Sequence, residues 1–321
     1  MEYAAPSANW RATLHRVRSD RRHGVALMLA VTLGYAAIAA LSKLLMQRCP
    51  VAMVAWVRYL VPCAMAGAVL LRGGNWRPWQ VADPGWQLLR SVLMIGGTLL
   101  IMLAYKALPL AQALSISSIH PLLLTALAAL FLGERVTAPM WASVALGFVG
   151  VLVIVRPGGG MFTPASLLPL CMALTYSGYM ALTRRLAGRE TAMASLFYGT
   201  SAGALLTSAF LVLDWVRPDA RTMGLLAVVG MLSAGTHWLM IKALEVAPAS
   251  LLAPISYAQL LWSIVFGAVL FGEIPDALTL LGIGIVVGSG LLLAATRRCA
   301  APQSSSATPA MNRTGTSLSH R

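Results

Sequence analysis

The chain has 321 residues, 58% of them apolar and only 11% charged, with a mean hydropathy of +0.76. A soluble domain carries roughly 25% charged and about 45–50% apolar residues, so an ordinary soluble globule is excluded and the bilayer is indicated as solvent. The formal charge of +14 lacks the basic face with interleaved aromatics that nucleic-acid binding needs.

Residues 1–23 form a basic N-terminal segment. The first apolar run, 24–42, is long enough to span and has no small-residue cleavage site, so it reads as a helix and not a cleaved signal. Runs at 51–71, 91–108, 111–132 and 139–155 follow, completing a first block over 24–156. A second block, 164–296, holds runs at 165–183, 191–213, 224–241, 249–271 and 277–296. Runs of about 20 residues match a hydrocarbon core about 30 Å thick, and the alternating 10-mers of an outer-membrane barrel are absent. The expected fold is an all-α membrane protein with ten transmembrane helices. The segment 297–321, with "PQSSSATPA" at its centre, lacks periodicity and reads as a disordered tail.

Loop charge sets the orientation. With the N-terminus in the cytoplasm, 17 Lys and Arg residues fall in inside segments and 6 in outside segments, with Arg58 inside a span. Both termini are therefore expected in the cytoplasm, and the net charge is largely a topology signal.

The two blocks repeat one another. "YKALPLAQA" from Tyr105 is echoed by "IKALEVAPA" from Ile241, and "FLGERV" from Phe131 by "LFGEIP" from Leu270. "LGYAAIAALSKLL" from Leu33 aligns with "LTYSGYMALTRRL" from Leu174, placing Tyr35 on Tyr176 and Lys43 on Arg184. Five spans is an odd number, so the second copy enters the membrane upside down. That is the inverted-repeat plan of secondary transporters, whose substrate site lies near the midplane between repeats.

These stretches, with "WVRYL" around Arg58, resemble the two EamA domains of the drug/metabolite transporter superfamily over roughly residues 24–296. The resemblance implies a ten-helix inner-membrane carrier of small metabolites and does not specify the substrate. Relatives so resembled include importers of vitamins and of S-adenosylmethionine.

Polar groups inside spans are the candidates for function. His120, in "SSIHP", lies about 14 Å into the fourth span, with Pro121 freeing a carbonyl that a cavity-lining serine or water could satisfy. It is the one side chain near the midplane whose protonation changes near neutral pH. Tyr35 and Tyr176 lie about 16 Å into their spans, and Tyr257 and Gln259 about 12 and 15 Å into theirs. The repeat makes this set a candidate to face one axis, although any single tyrosine is more often a packed helix contact. Arg58, about 10 Å into the second span, is open to two readings: a partner for a substrate carboxylate, or a side chain snorkelling to the interface. His237 reads as a hydrated group within about a turn of a helix end. All ten acidic residues lie at helix ends or in loops, so no carboxylate is positioned for ion coupling in mid-span.

The four cysteines are scattered without a CxxC pair, so no metal, disulfide framework or cofactor is expected. No nucleophile–base or metal constellation points to an enzyme. Gly199/Gly203 and Gly284/Gly288 have GxxxG spacing, which allows close packing or homodimerisation. The expected activity is efflux or exchange of a small polar or amphipathic metabolite. The alternatives are uptake of a vitamin or nucleoside-like metabolite, such as riboflavin or S-adenosylmethionine, and a non-transporting membrane helper subunit.

Overall fold

The computed structural model describes residues 9–72, 83–131, 136–157, 163–186, 192–247 and 249–300. The tail beyond 300, the Glu134–Arg135 turn and Glu190 lie outside them. The described residues form twelve α-helices: α1 (Asn9–Leu45), α2 (Val51–Arg72), α3 (Pro84–Ala107), α4 (Leu110–Ser117), α5 (His120–Phe131), α6 (Ala138–Val155), α7 (Leu167–Leu186), α8 (Ala192–Leu213), α9 (Ala220–Val246), α10 (Ala249–Ser256), α11 (Ala258–Phe271) and α12 (Ala277–Ala300). Ten helical stretches are long and apolar enough to cross a membrane, because α4 with α5 and α10 with α11 each make one span. Large apolar side chains such as Leu205, Val212 and Val269 point outward at 74–83% exposure, as a lipid-facing surface requires.

Several helices outrun their apolar cores. α1 starts at Asn9 and α12 runs to Ala300, because residues 9–23 and 297–300 hold no proline and helix-tolerant arginines continue the backbone pattern. α3 begins at Pro84, whose fixed φ and missing N–H suit a first helical position. α9 is capped by Asp219, whose carboxylate accepts the Thr222 N–H at 3.3 Å, and it continues through Lys242 and Glu245 to Val246.

The packing pairs follow the repeat. α2 packs on α8 and α6 on α12, each helix on its own repeat-mate. α1 packs on α9 as α7 does on α3, and α1 meets α11 as α7 meets α5. Exchanging the two repeats maps this set of contacts onto itself, which is the signature of an inverted-repeat fold. Close approach depends on glycine at the repeat-mate interfaces. A Cβ on Gly150 would lie 3.0 Å from the Gly282 carbonyl, and one on Gly203 would lie 2.6 Å from the Tyr59 ring. Gly199 likewise faces Met94 and Arg90 of α3. The spacing at 199 and 203 therefore serves packing within the chain.

Candidate functional site

The fourth span is interrupted at its centre. Pro121 has no N–H to offer the Ser117 carbonyl, and His120 Nδ1 donates to that carbonyl at 3.2 Å instead. The imidazole therefore satisfies the freed group. The bond fixes the Nδ1–H tautomer and leaves Nε2 as the acceptor. From α7, the Ser177 hydroxyl lies 2.8 Å from the His120 carbonyl and 2.6 Å from that of Ala173. The break is thereby latched to the other repeat. The ninth span breaks at the matching place, at Tyr257, three residues after Pro254.

Around the first break, aromatic rings assemble from both repeats. His120 meets Tyr176 edge-on, with centroids 4.9 Å apart at 88°, the geometry that a ring quadrupole favours. Tyr179, one turn on, lies 5.5 Å from Tyr176. The buried Arg90 covers Tyr179 at 5.4 Å while donating to Gln87 Oε1 and the Ser195 carbonyl. Tyr35 meets His237 edge-on at 6.0 Å, and His237 Nδ1 donates to the Ser233 carbonyl at 2.7 Å. Arg58 lies within electrostatic reach of Tyr35, Tyr105 and His237, and Tyr35 within reach of Tyr176 and Tyr179. Arg58 Nη1 is buried and has no acceptor among the described residues.

Tyr35, Arg58, His120 and Tyr176 thus come together, joined by Tyr105, Tyr179 and His237. His237 departs from its expected place near a helix end because α9 extends five residues past its apolar run. Arg90, one residue ahead of the apolar run that begins at 91, is buried because α3 begins before it. Tyr257 packs elsewhere: its ring lies against Gly290 of α12, and its buried hydroxyl has no partner among the described residues. Gln259 is half-buried in the first turn of α11. Among the described residues no three His, Cys, Asp or Glu side chains gather as metal ligands would.

A second polar cluster closes one end of the bundle. Lys43, at the end of α1, pairs with Glu273 at 2.5 Å and donates to the Leu108 carbonyl at 2.8 Å. The other Glu273 oxygen accepts the Leu110 N–H at the start of α4, also at 2.8 Å. Three chain segments from two repeats meet in this clasp. Nearby, Arg156 pairs with Asp276 at 2.6 Å, tying the end of α6 to the start of α12.

The model of the EamA-like transporter family matches the sequence twice, over residues 22–156 and 163–295. The chain belongs to that family. EamA proteins of the drug/metabolite transporter superfamily carry solutes and are not enzymes, and this EamA chain is a secondary transporter of a small polar metabolite. It is 30% identical to a riboflavin transporter of Vibrio cholerae over 74% of its own length and 80% of the relative's. An S-adenosylmethionine uptake transporter of Rickettsia conorii is 25% identical over 67% of this chain and 73% of that one. A pseudopaline exporter of Pseudomonas aeruginosa is 26% identical over 61% and 69%. One solved crystal structure shares the fold, with a TM-score of 0.61 at 22% identity over 88% of this chain and 99% of its own. Ten spans and bacterial transporter relatives make this EamA protein a multi-pass component of the inner membrane.

Proposed function

We propose that this transporter works by alternating access, with both termini cytoplasmic, and exports or exchanges a small polar or amphipathic metabolite. The substrate site is the chamber lined by Tyr35, Arg58, His120 and Tyr176, with Tyr105, Tyr179 and His237 around them. The observation that carries this is the gathering of these side chains from both repeats beside a broken helix, where inverted-repeat carriers bind their cargo. Tyr257 and Gln259, at the matching break, are assigned to the helix that moves against the chamber. The acceptor Nε2 of His120 is available for a substrate N–H or O–H. Of the two GxxxG pairs, Gly284/Gly288 has the face open to a second copy.

Uptake is the second reading, favoured by the riboflavin and S-adenosylmethionine transporters among the relatives. Untargeted mass spectrometry of cells and medium, comparing a deletion strain with an overexpressing one, separates the two. A compound retained inside the deletion strain and enriched outside the overexpressor establishes export. Depletion from the medium only when the protein is present establishes uptake and reverses the choice. His120→Ala should alter transport of that compound while the protein still inserts, and unaltered transport would remove His120 from the site.

A further inference from the structure

We propose that the substrate carries an anionic group, a carboxylate or phosphate, and that Arg58 is its docking point; this rests on the chamber assigned above. The sequence leaves Arg58 between two roles, and the structure separates them. A snorkelling arginine brings its guanidinium to water, but Arg58 sits seven residues inside α2 with Nη1 fully buried and no acceptor among the described residues. Its electrostatic neighbours are Tyr35, Tyr59, Tyr105 and His237. None of them is a carboxylate that could pair with a guanidinium. Arg58 is half-buried as a residue, whereas the fully buried Arg90 shows what a satisfied arginine looks like here, with two hydrogen bonds and an aromatic cover.

Among the described residues no carboxylate is paired with Arg58. Glu273 is held by Lys43, Asp276 by Arg156, Glu245 by Lys242, and Asp219 caps α9. Each lies at a helix end. A guanidinium inside a span with a buried, unsatisfied Nη1 favours a ligand that brings the counter-charge. The tyrosine hydroxyls around it are donors suited to the remaining lone pairs of a carboxylate or phosphate.

The test uses the purified full-length chain in detergent. Arg58→Met removes a charge whose buried Nη1 has no acceptor among the described residues, so the ligand-free protein should melt several degrees higher. A structural role for Arg58 would instead lower the melting temperature, and that result overturns the proposal. Matched probes then read the specificity: riboflavin against riboflavin 5′-phosphate, adenosine against AMP, and indole against indole-3-acetate. At least one anionic member should raise the wild-type melting temperature more than its neutral twin. That preference should vanish in Arg58→Met and return in part in Arg58→Lys. Absence of any anionic preference in the wild type, or a preference that survives Arg58→Met, also overturns it. Failure of the transport reading is registered separately, as wild-type proteoliposomes that move none of the compounds found by the mass-spectrometric comparison.

Discussion

Glu273→Gln should loosen the end of the bundle that the clasp closes. The substitution keeps the side-chain volume and one carbonyl acceptor for the Leu110 N–H, but removes the charge facing Lys43. The Lys43 and Glu273 side chains retain 11% and 24% of their exposure. An exposed ion pair contributes about 0–1 kcal/mol, and breaking a buried one costs about 3–5 kcal/mol. The pair here lies between, so about 2 kcal/mol is lost, which shifts the ratio of closed to open forms about 30-fold. Spin labels on Gln47→Cys and Ile274→Cys in a cysteine-free background read this directly, because both positions are exposed beside the clasp. Double electron–electron resonance should show a new, longer distance population in Glu273→Gln and in Lys43→Gln. The double variant should add little to either single one, since the two residues act through one contact. An unchanged distance distribution, or losses that simply add, would refute the idea that this pair holds the end shut.

Gly290→Ala should lower the melting temperature, because the new Cβ would sit 1.9 Å from the Tyr257 hydroxyl. Overpacking of this kind costs about 1–3 kcal/mol, and Tyr257→Leu in the same chain should restore part of the loss; an unchanged melting temperature would show that the ring is free to move. Ser177→Ala should cost about 1 kcal/mol through the hydrogen bonds of one hydroxyl, seen in the melting temperature. It should also change transport kinetics by freeing the helix break, and a variant with wild-type kinetics would show that the latch is not felt at the site. The Asp276 carboxyl is held down to about 2 from 3.8, first by Thr279 and then by Arg156. A lowered carboxylate contributes stability above its unfolded value and loses it as pH falls towards the folded one. The melting difference between Asp276→Asn and wild type should therefore be equal at pH 7 and pH 5 and narrow only below about pH 4; narrowing between pH 7 and 5 would contradict the pairing.

The spans were legible because lipid imposes one requirement on every one of them, an apolar stretch of fixed length, and the inverted plan because an odd number of spans was repeated. The grouping of Tyr35, His120 and Tyr176 was legible as shared depth. Facing direction was not, since depth along a helix says nothing about rotation about its axis. Tyr257 shows the limit: it shares the depth but turns to Gly290, where the missing side chain leaves room for a ring. The signal for that was Gly290 itself, which is silent until the helix it faces is known. His237 was misjudged for another reason. Lys242 and Glu245 seem to end a span by composition, yet long charged side chains at a helix end reach water while the backbone continues. The break in the fourth span was signalled by Pro121, and the proline at 254 carried the same message for the ninth.

Symmetry limits where a difference between conformations can lie. The α2–α8 and α6–α12 interfaces are each mapped onto themselves when the repeats are exchanged. If the two access states interchange the roles of the repeats, these interfaces are equivalent in both. Their close glycine contacts suit that constancy, since Gly150 and Gly282 bring backbone against backbone with no side chain to change rotamer. The contacts of α1 with α9 and α11 map instead onto those of α7 with α3 and α5. They can be unequal, and the access state must be written there. The chamber rings and the Lys43–Glu273 clasp both lie on this second set. Tyr35 and Lys43 stand eight residues apart on α1, about 12 Å along a single rigid element. A shift of α1 that releases Lys43 from Glu273 must therefore also move Tyr35 against His237 and Arg58, which couples opening at the clasped end to the geometry of the proposed substrate site.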